Sequence, residues 1–188
     1  MILEKVRDLM WDIAIDSNYK KTIGAMMIHT AIDSGDLELV DMILQHDGCI
    51  DICNDEGYSP LHLAAFNGNI DMIRLLLIRG AETNIACVNT YETPLHFAAM
   101  HGNTKLFYFM AVNGADINLQ DRNRISPLEQ LLKCGHEDTF IELLTDNDYI
   151  RRMVCNRNLM NCYQRAINNN LYAAKDIIKQ LLLINNEE

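Results

Sequence analysis

Three histidines recur along the chain at almost constant spacing, and a glutamate occupies the next equivalent position. His29, His62 and His96 are followed by Glu129, with about 33 residues between neighbours. Imidazole groups can ligate a metal or transfer protons, but either role requires the side chains to converge in space. Residues repeated at such a period belong to successive structural units and lie about one unit apart. The spacing therefore favours a structural role over a catalytic or metal-binding one.

The remaining histidines form no pattern that indicates catalysis. His46, His101 and His136 have no serine, cysteine or carboxylate arrangement that assigns them to a triad. The chain also lacks a glycine-rich phosphate loop and a pair of catalytic carboxylates. We therefore expect no enzymatic activity and no cofactor.

The six cysteines give no evidence of a zinc site or a disulfide framework. They form no Cys-x-x-Cys pair, and the histidines are not paired at zinc-finger spacing. The N-terminal residues lack the features of a secretory signal, so we expect an intracellular, cytoplasmic protein whose thiols are reduced and buried. The cysteines are Cys49, Cys53, Cys87, Cys134, Cys155 and Cys162.

Charge and hydropathy exclude two classes of partner. The chain has 16 basic and 26 acidic residues, a net charge of −10, and no apolar run of the roughly 20 residues that a membrane span needs. Nucleic-acid binding relies on basic patches, whereas residues 1–60 hold 12 acidic and 4 basic residues. An acidic N-terminal region favours a partner protein with a basic surface. The alternative is that the acids only keep the surface solvated.

The histidines lie within longer segments that repeat with them. SPLHLAAFNGN begins at Ser59, TPLHFAAMHGN at Thr93 and SPLEQLLKCGH at Ser126, with weaker copies from Met27 and Cys162. Self-similarity at a fixed period of 20–50 residues is typical of repeat architectures. The same position of the repeat is occupied by Ile32, Ala65, Ala99, Leu132 and Ala166. The steps between these residues are 33, 34, 33 and 34.

Each segment predicts a short helix that is followed by a turn and a second helix. Ser or Thr at the start can cap a helix, proline suits its first position, and glycine is favoured just past its end. In the fifth segment Asn169 takes the place of that glycine. Apolar residues then recur at helical spacing. The second helices are predicted at Leu37–Leu44, Ile70–Ile78, Thr104–Val112, Glu137–Leu144 and Leu171–Ile184.

Some segments depart from this pattern. Gly57 suits the tight loop before the second segment, but Tyr91 and Arg124 replace it in the next two, so we expect those loop tips to deviate. Residues 145–161 lack the loop and capping signals, which makes them the expected weak point. An amphipathic stretch at residues 2–16 predicts a capping helix at the N-terminal end.

The period together with the T-P-L-H motif resembles the ankyrin-repeat family over residues 20–184. The resemblance implies an all-α solenoid of stacked antiparallel helix pairs with short β-hairpin-like loops, and histidines that hydrogen-bond the neighbouring backbone. It implies a single, monomeric domain over residues 1–188. Its parts are a capping helix at 1–20 and repeats at 21–53, 54–87, 88–120, 121–154 and 155–188, of which the last is degenerate.

In ankyrin proteins the loop tips and the exposed face of each first helix line a concave groove that contacts partners. Tyr58, Phe66 and Met100 are the expected apolar anchors of such a groove. The alternative is that isolated exposed apolar residues carry no function. The full set that the resemblance assigns to partner binding is Asp55, Glu56, Tyr58, Phe66, Asn67, Asn89, Thr90, Glu92, Met100, His101, Arg122, Asn123, Ile125 and Lys133.

Asn84 and Asn118 are candidate hydroxylation sites. Each follows an acidic residue by two positions and an apolar one by eight, which resembles the pattern used by the hypoxia-pathway asparaginyl hydroxylase on ankyrin proteins. The alternative is that each amide only hydrogen-bonds the inter-repeat loop.

The resemblance implies a protein–protein interaction module that masks or scaffolds a partner, and we expect a stand-alone stack. Abundant Ile and Asn, which have A·T-rich codons, favour a large DNA virus or an intracellular bacterium as the source. Compact viral ankyrin proteins often resemble the inhibitor of Rel-type transcription factors. The specific hypothesis is therefore a modulator of host signalling, acting in the host cytoplasm or nucleus. The alternatives are a subunit or substrate adaptor of a larger complex and, last, an enzyme with an unrecognised site.

Overall fold

The structure, a computed structural model, describes residues 17–47 and 50–184. The capping helix predicted at residues 2–16 lies outside the described residues. Within them the chain forms helices and loops without a β-strand, which confirms the predicted all-α class. The helices are α1 (Ser17–Ser34), α2 (Leu37–Asp47), α3 (Pro60–Phe66), α4 (Ile70–Ile78), α5 (Pro94–Met100), α6 (Thr104–Val112), α7 (Pro127–Lys133), α8 (Glu137–Thr145), α9 (Asp148–Met153), α10 (Asn156–Asn168) and α11 (Tyr172–Ile184).

Helix pairs stack along the chain so that equivalent helices pack on one another. The first helices form a layer in which α1 contacts α3, α3 contacts α5, α5 contacts α7 and α7 contacts α10. Each first helix also packs on the second helix of its own pair, as α3 does on α4. Stacking of this kind buries a continuous core that no single pair could form. None of the described helices is both long and apolar enough to cross a membrane.

The starts of the middle first helices follow the capping signals. Pro60, Pro94 and Pro127 each occupy the first helical turn, where a missing N–H costs nothing. The second helices start on their own caps: Asn69 Oδ1 accepts from the Met72 N–H at 3.0 Å, and Asn103 Oδ1 from the Leu106 N–H at 3.1 Å. Local sequence therefore sets where these helices begin.

The core lies between the two helix layers. Small residues of the first helices, such as Ala64 and Ala98, are fully buried and let neighbouring helices approach closely. Large side chains of the second helices fill the space behind them, as Phe107 and Phe140 do. Fully burying a side chain of this size stabilises the fold by about 1.5–3 kcal/mol.

The first repeat begins differently from the others. Helix α1 has 18 residues, whereas α3, α5 and α7 have 7 each. No proline precedes His29, and Ala25, Met26 and Met27 are good helix formers, so the helix continues toward the N-terminus. The boundary between residues 20 and 21 that the sequence predicts for the first repeat lies inside this helix.

Each first helix is followed by a turn that contains one left-handed residue, as predicted, but in the fifth repeat that residue lies one position later than expected. Gly35, Gly68, Gly102 and Gly135 have φ values of 60–83°. In the fifth repeat the left-handed residue is Asn170, with φ 57°, while Asn169 has φ −96°. The assignment of Asn169 to this position was wrong by one residue, because α10 is longer and the Leu171 N–H closes its end on the Ala166 carbonyl.

The loop tip of the third repeat deviates as expected, whereas that of the fourth does not. The third loop is one residue longer, because the Cys87 N–H donates to the Glu92 carbonyl five residues on, while the second and fourth loops each close over four residues. Tyr91 (φ 59°) and Arg124 (φ 62°) adopt the left-handed conformation of Gly57 (φ 88°). Each loop is closed by a backbone hydrogen bond, such as that from the Asp121 N–H to the Ile125 carbonyl at 2.9 Å. A residue with a Cβ atom pays about 1–2 kcal/mol for this conformation. The fourth loop therefore keeps the shape of the second, and both Tyr91 and Arg124 carry local strain.

One asparagine anchors the junction that leads into the fifth repeat. Residues 145–161 form α9 and the start of α10 in place of a loop like those before the third and fourth repeats. Asn118 Nδ2 donates to the Met153 carbonyl at 2.7 Å, and its Oδ1 accepts from the Cys155 N–H at 3.0 Å and from Asn158 Nδ2 at 2.9 Å. These three hydrogen bonds hold the junction that lacks the usual loop signals.

Candidate functional site

The repeated histidines tie neighbouring repeats together through the backbone. His62 Nδ1 accepts from the Ser59 N–H at 3.1 Å, so its Nε2 carries the proton and donates to the Glu92 carbonyl at 2.9 Å. His96 repeats the arrangement with the Thr93 N–H at 3.0 Å and the Ile125 carbonyl at 3.0 Å. The predicted structural role of these histidines is confirmed, and both ring nitrogens are occupied.

Burial keeps these two imidazoles neutral at physiological pH. Desolvation lowers the pKa of His62 to about 4, and it also lowers the pKa of His96. Hydrogen bonds to the Glu92 and Ile125 carbonyls oppose this shift without cancelling it. The stack therefore depends on uncharged histidines.

Glu129, which stands in the histidine position of the fourth repeat, has an ionic partner instead. Its Oε1 accepts from both Nε and Nη2 of Arg165 at 2.8 Å. Where His62 and His96 each reach the carbonyl of a following loop, the fifth repeat presents an arginine on α10. In the fourth repeat the partner at this position is a cation rather than a backbone carbonyl. A carboxylate suits this partner better than an imidazole does.

Aromatic rings cluster where α3 and α5 meet the loop before α3. The Phe97 ring is buried and packs edge-on against Tyr58 and Phe66, with ring centroids 5.2 and 6.0 Å apart. Phe66 is 53% exposed, whereas Tyr58 is half-buried. Edge-to-face pairs of this kind add about 0.5–1.5 kcal/mol beyond the burial of their surface. The cluster presents one rigidly supported aromatic ring to solvent.

Phe97 was not among the sequence-predicted site residues. It lies three residues before Met100, so both fall on one face of α5, and this helical spacing could have revealed it.

Most of the residues assigned to partner binding lie at the surface. Asp55, Glu56, Phe66, Asn67, Asn89, His101, Arg122, Asn123 and Lys133 are exposed, while Tyr58, Thr90, Glu92 and Met100 are half-buried. His101 is also engaged in the stack, because its Nε2 hydrogen-bonds the Phe66 carbonyl.

Ile125 does not fit the predicted binding set. Its side chain is only 7% exposed, its N–H donates to Asp121 Oδ1 at 2.8 Å, and its carbonyl accepts from His96. These bonds turn the side chain into the core, so it is not available to a partner.

Two exposed apolar residues were missed at the tip of the third loop. Val88 is 71% exposed and Tyr91 is 53% exposed, and they flank the predicted contact residues Asn89 and Thr90. The sequence contained a signal for this site, because Tyr91 stands where the second repeat has Gly57. In the sequence alone, this residue stood out only as a departure from the repeat pattern. Strained residues of this kind are concentrated at functional sites.

Replacing Tyr91 with glycine should stabilise the fold while removing an exposed aromatic ring. Glycine adopts φ 59° without the Cβ penalty, and after its own entropy cost we expect the free energy of unfolding to rise by about 1 kcal/mol. Urea denaturation measures this change. Tyr91→Ala is the matched control, because it removes the ring but keeps the strain. Equal stability of the two variants would contradict the strain argument.

Asn84 and Asn118 both use their amides between repeats. Asn84 Nδ2 donates to the Gly114 carbonyl at 2.9 Å and its Oδ1 accepts from the Asp116 N–H at 2.8 Å. Asn118 makes the bonds at the junction described above. These contacts supply the structural role weighed as the alternative. Hydroxylation at either site stays a prediction.

The described cysteines are unpaired, and not all are buried. Cys87 and Cys162 are buried, whereas Cys134 and Cys155 are exposed, contrary to the expectation of burial throughout. Burial raises the pKa of the Cys162 thiol, which lowers its reactivity. Among the described residues, the histidines, cysteines and acids form no group that could hold a metal ion.

Relatives of this chain are ankyrin proteins from a virus and from animals. It is 41% identical over 59 residues to the putative ankyrin repeat protein FPV240 of Fowlpox virus, across 31% of this chain and 14% of that protein. It is 36% identical over 56 residues to the Notch-regulated ankyrin repeat-containing protein A of Danio rerio, across 30% of this chain and 50% of that protein. The chain thus spans at most half of the length of these relatives.

Family models match most of the region in which the helix pairs stack. A model for ankyrin repeats in three copies matches residues 3–87, and a model for a single ankyrin repeat matches residues 90–122. These matches include the Ser59 and Thr93 caps and the paired histidines that close one repeat on the next. The chain belongs to the ankyrin-repeat family.

Proposed function

We propose that the protein binds a partner protein through the face formed by the loop tips and the exposed ends of the first helices, here called the groove face. Ankyrin repeats generally serve as interaction modules rather than as enzymes. The observation that carries the proposal is Phe66, an exposed aromatic ring supported from below by Phe97. Supported aromatic side chains surrounded by polar residues are typical interface anchors.

Apolar and polar groups on the groove face are arranged as in known interfaces. Phe66 and the half-buried Met100 lie at the ends of adjacent first helices, and the exposed Val88 and Tyr91 lie at the third loop tip. Acidic residues adjoin them on the N-terminal side, at Asp33, Asp55 and Glu56. This arrangement supports an apolar contact whose acidic margin attracts a basic partner surface.

The mechanism that follows is occupation of the partner's surface, which masks or scaffolds it. A modulator of host signalling that resembles inhibitors of Rel-type transcription factors is the specific proposal, supported by the fowlpox virus relatives. We propose that the protein is cytoplasmic and that, if it comes from a virus or an intracellular bacterium, it acts in the cytoplasm or nucleus of the host cell. We also propose that it is a monomer. Exposed free thiols at Cys134 and Cys155 support a reducing compartment.

Site-specific photo-crosslinking tests which face binds. A benzophenone amino acid at Asn67 or Lys133 on the groove face should capture the same partner from source-cell lysate. The same group at Tyr108 on the second-helix layer should not, although Tyr108 is also exposed. Capture from Tyr108 alone would show that the groove face is not the binding surface.

A further inference from the structure

A polar cleft lies at the C-terminal end of the layer of first helices. It has a volume of about 770 Å³ and opens between the loop before α7, α7 itself and helix α10. Its lining is almost entirely polar, in contrast to the aromatic cluster two repeats away. The lining residues are Gln120, Arg124, Glu129, Arg157, Asn161, Gln164, Arg165, Asn168 and Asn169.

The cleft is positively charged in a chain whose net charge is −10. The charge of Glu129 is balanced by Arg165, which binds its Oε1 at 2.8 Å. Arg124 and Arg157 are exposed and form no ion pair with a residue in the described parts of the chain. Two guanidinium groups therefore remain uncompensated on the cleft wall.

Arg124 lies at the tip of the loop that precedes α7, where it lines the cleft. Arg124 has φ 62° in the loop position that Gly57 occupies two repeats earlier. The turn of the closed loop requires this conformation, as it does at Gly57 and Tyr91. Arg124 contributes to the cleft through its exposed guanidinium group.

Hydrogen-bond donors of the lining match carboxylate groups. Guanidinium groups bind carboxylates in a bidentate manner, and the side-chain amides supply further donors. A flexible peptide with several carboxylates can satisfy two arginines and the amides of α10 together. A single small anion can contact only part of such a wall.

We infer that this cleft binds an acidic segment of the partner protein through its carboxylate side chains. The inference rests on the proposed function and adds the orientation of the bound partner along the stack of repeats. A basic part of the partner lies over the acidic side of the groove face near Asp55 and Glu56. An acidic part lies over Arg124 and Arg157, with the aromatic cluster between the two.

The test uses acetylated hexaglutamate as a probe, so that the natural partner is not needed. Titration into the ¹⁵N-labelled full chain should shift the side-chain signals of Arg157 and of the lining amides at low salt. Arg124→Gly and Arg157→Gln should each weaken binding by up to about fivefold, the upper end of the range for exposed ion pairs. Arg152→Gln is the matched control, because Arg152 is an exposed cation outside the cleft and should leave the affinity unchanged.

The outcomes separate this inference from the proposed function. Shifts confined to the cleft and lost in the two cleft variants support it. Shifts spread over all cations, or inorganic phosphate binding there without any hexaglutamate response, overturn it. If hexaglutamate does not bind the cleft while crosslinks still form from Asn67 and Lys133, the inference fails and the proposed function stands.

Discussion

Phe66→Ala is expected to weaken partner binding about 30-fold or more, mainly through faster dissociation. Truncation of an anchor residue costs about 2 kcal/mol or more, which corresponds to this ratio of affinities. Phe66 fits that role because its ring is 53% exposed yet held edge-on by Phe97 at 6.0 Å. Surface plasmon resonance with the captured partner measures both rate constants.

Two variants control this experiment. Tyr108→Ala removes an exposed aromatic ring from α6, in the second-helix layer, and should leave binding unchanged. Asp55→Asn combined with Glu56→Gln should slow association at low salt with little effect on dissociation, because charges at the margin act mainly on the encounter rate. Circular dichroism and urea denaturation check that each variant folds. Wild-type binding by folded Phe66→Ala would remove this residue from the interface.

Acidification from pH 7 to pH 5 is expected to destabilise the protein, in part through His62. Its pKa is about 4 in the folded chain, compared with 6.5 when exposed, because burial disfavours the charged form. The unfolded state therefore binds the proton more tightly. Stability is fully present above pH 6.5 and falls by about 1.4 kcal/mol per pH unit as the pH drops toward the folded pKa. Between pH 6.5 and 5 this amounts to about 2 kcal/mol.

His62→Gln is the matched variant for the pH experiment. Glutamine keeps a donor for the Glu92 carbonyl but cannot titrate. Its amide oxygen can also accept from the Ser59 N–H, as glutamine does in a capping box, but ordering this flexible side chain costs more conformational entropy than ordering an imidazole. We therefore expect slightly lower stability at pH 7 together with a shallower dependence on pH. Urea unfolding of both proteins at pH 7 and pH 5 isolates the contribution of His62. His96, whose pKa is lowered for the same reason, should add to the remaining slope. Parallel pH profiles for wild type and variant would contradict this assignment.

Local signals predicted the helices of the middle repeats closely. The second helices Ile70–Ile78 and Thr104–Val112 match their predicted ranges, because asparagine caps start them and a left-handed residue ends the turn before them. Where such signals were missing, the prediction was less accurate. Helix α1 extends further toward the N-terminus than predicted, and the turn after α10 lies at Asn170 instead of Asn169.

The candidate site was predicted in outline and corrected in detail. Position within the repeat was enough to place Phe66 and Asn67 at the surface. It could not show that Ile125 turns inward, because that depends on Asp121 and His96 binding its backbone. Nor could it show Phe97 beneath Phe66, since the two rings meet across different repeats.

The sequence by itself determined the ankyrin fold and the positions of the helices in the middle repeats, because period, caps and apolar spacing act within a few residues of one another. The tertiary structure alone decided which side chains of one repeat contact which side chains of the next. The Glu129–Arg165 ion pair joins residues 36 positions apart, and the cleft above it collects side chains from two repeats. Such contacts depend on how far each repeat is translated and rotated against the next, and that geometry is set by packing of the whole stack rather than by any local pattern.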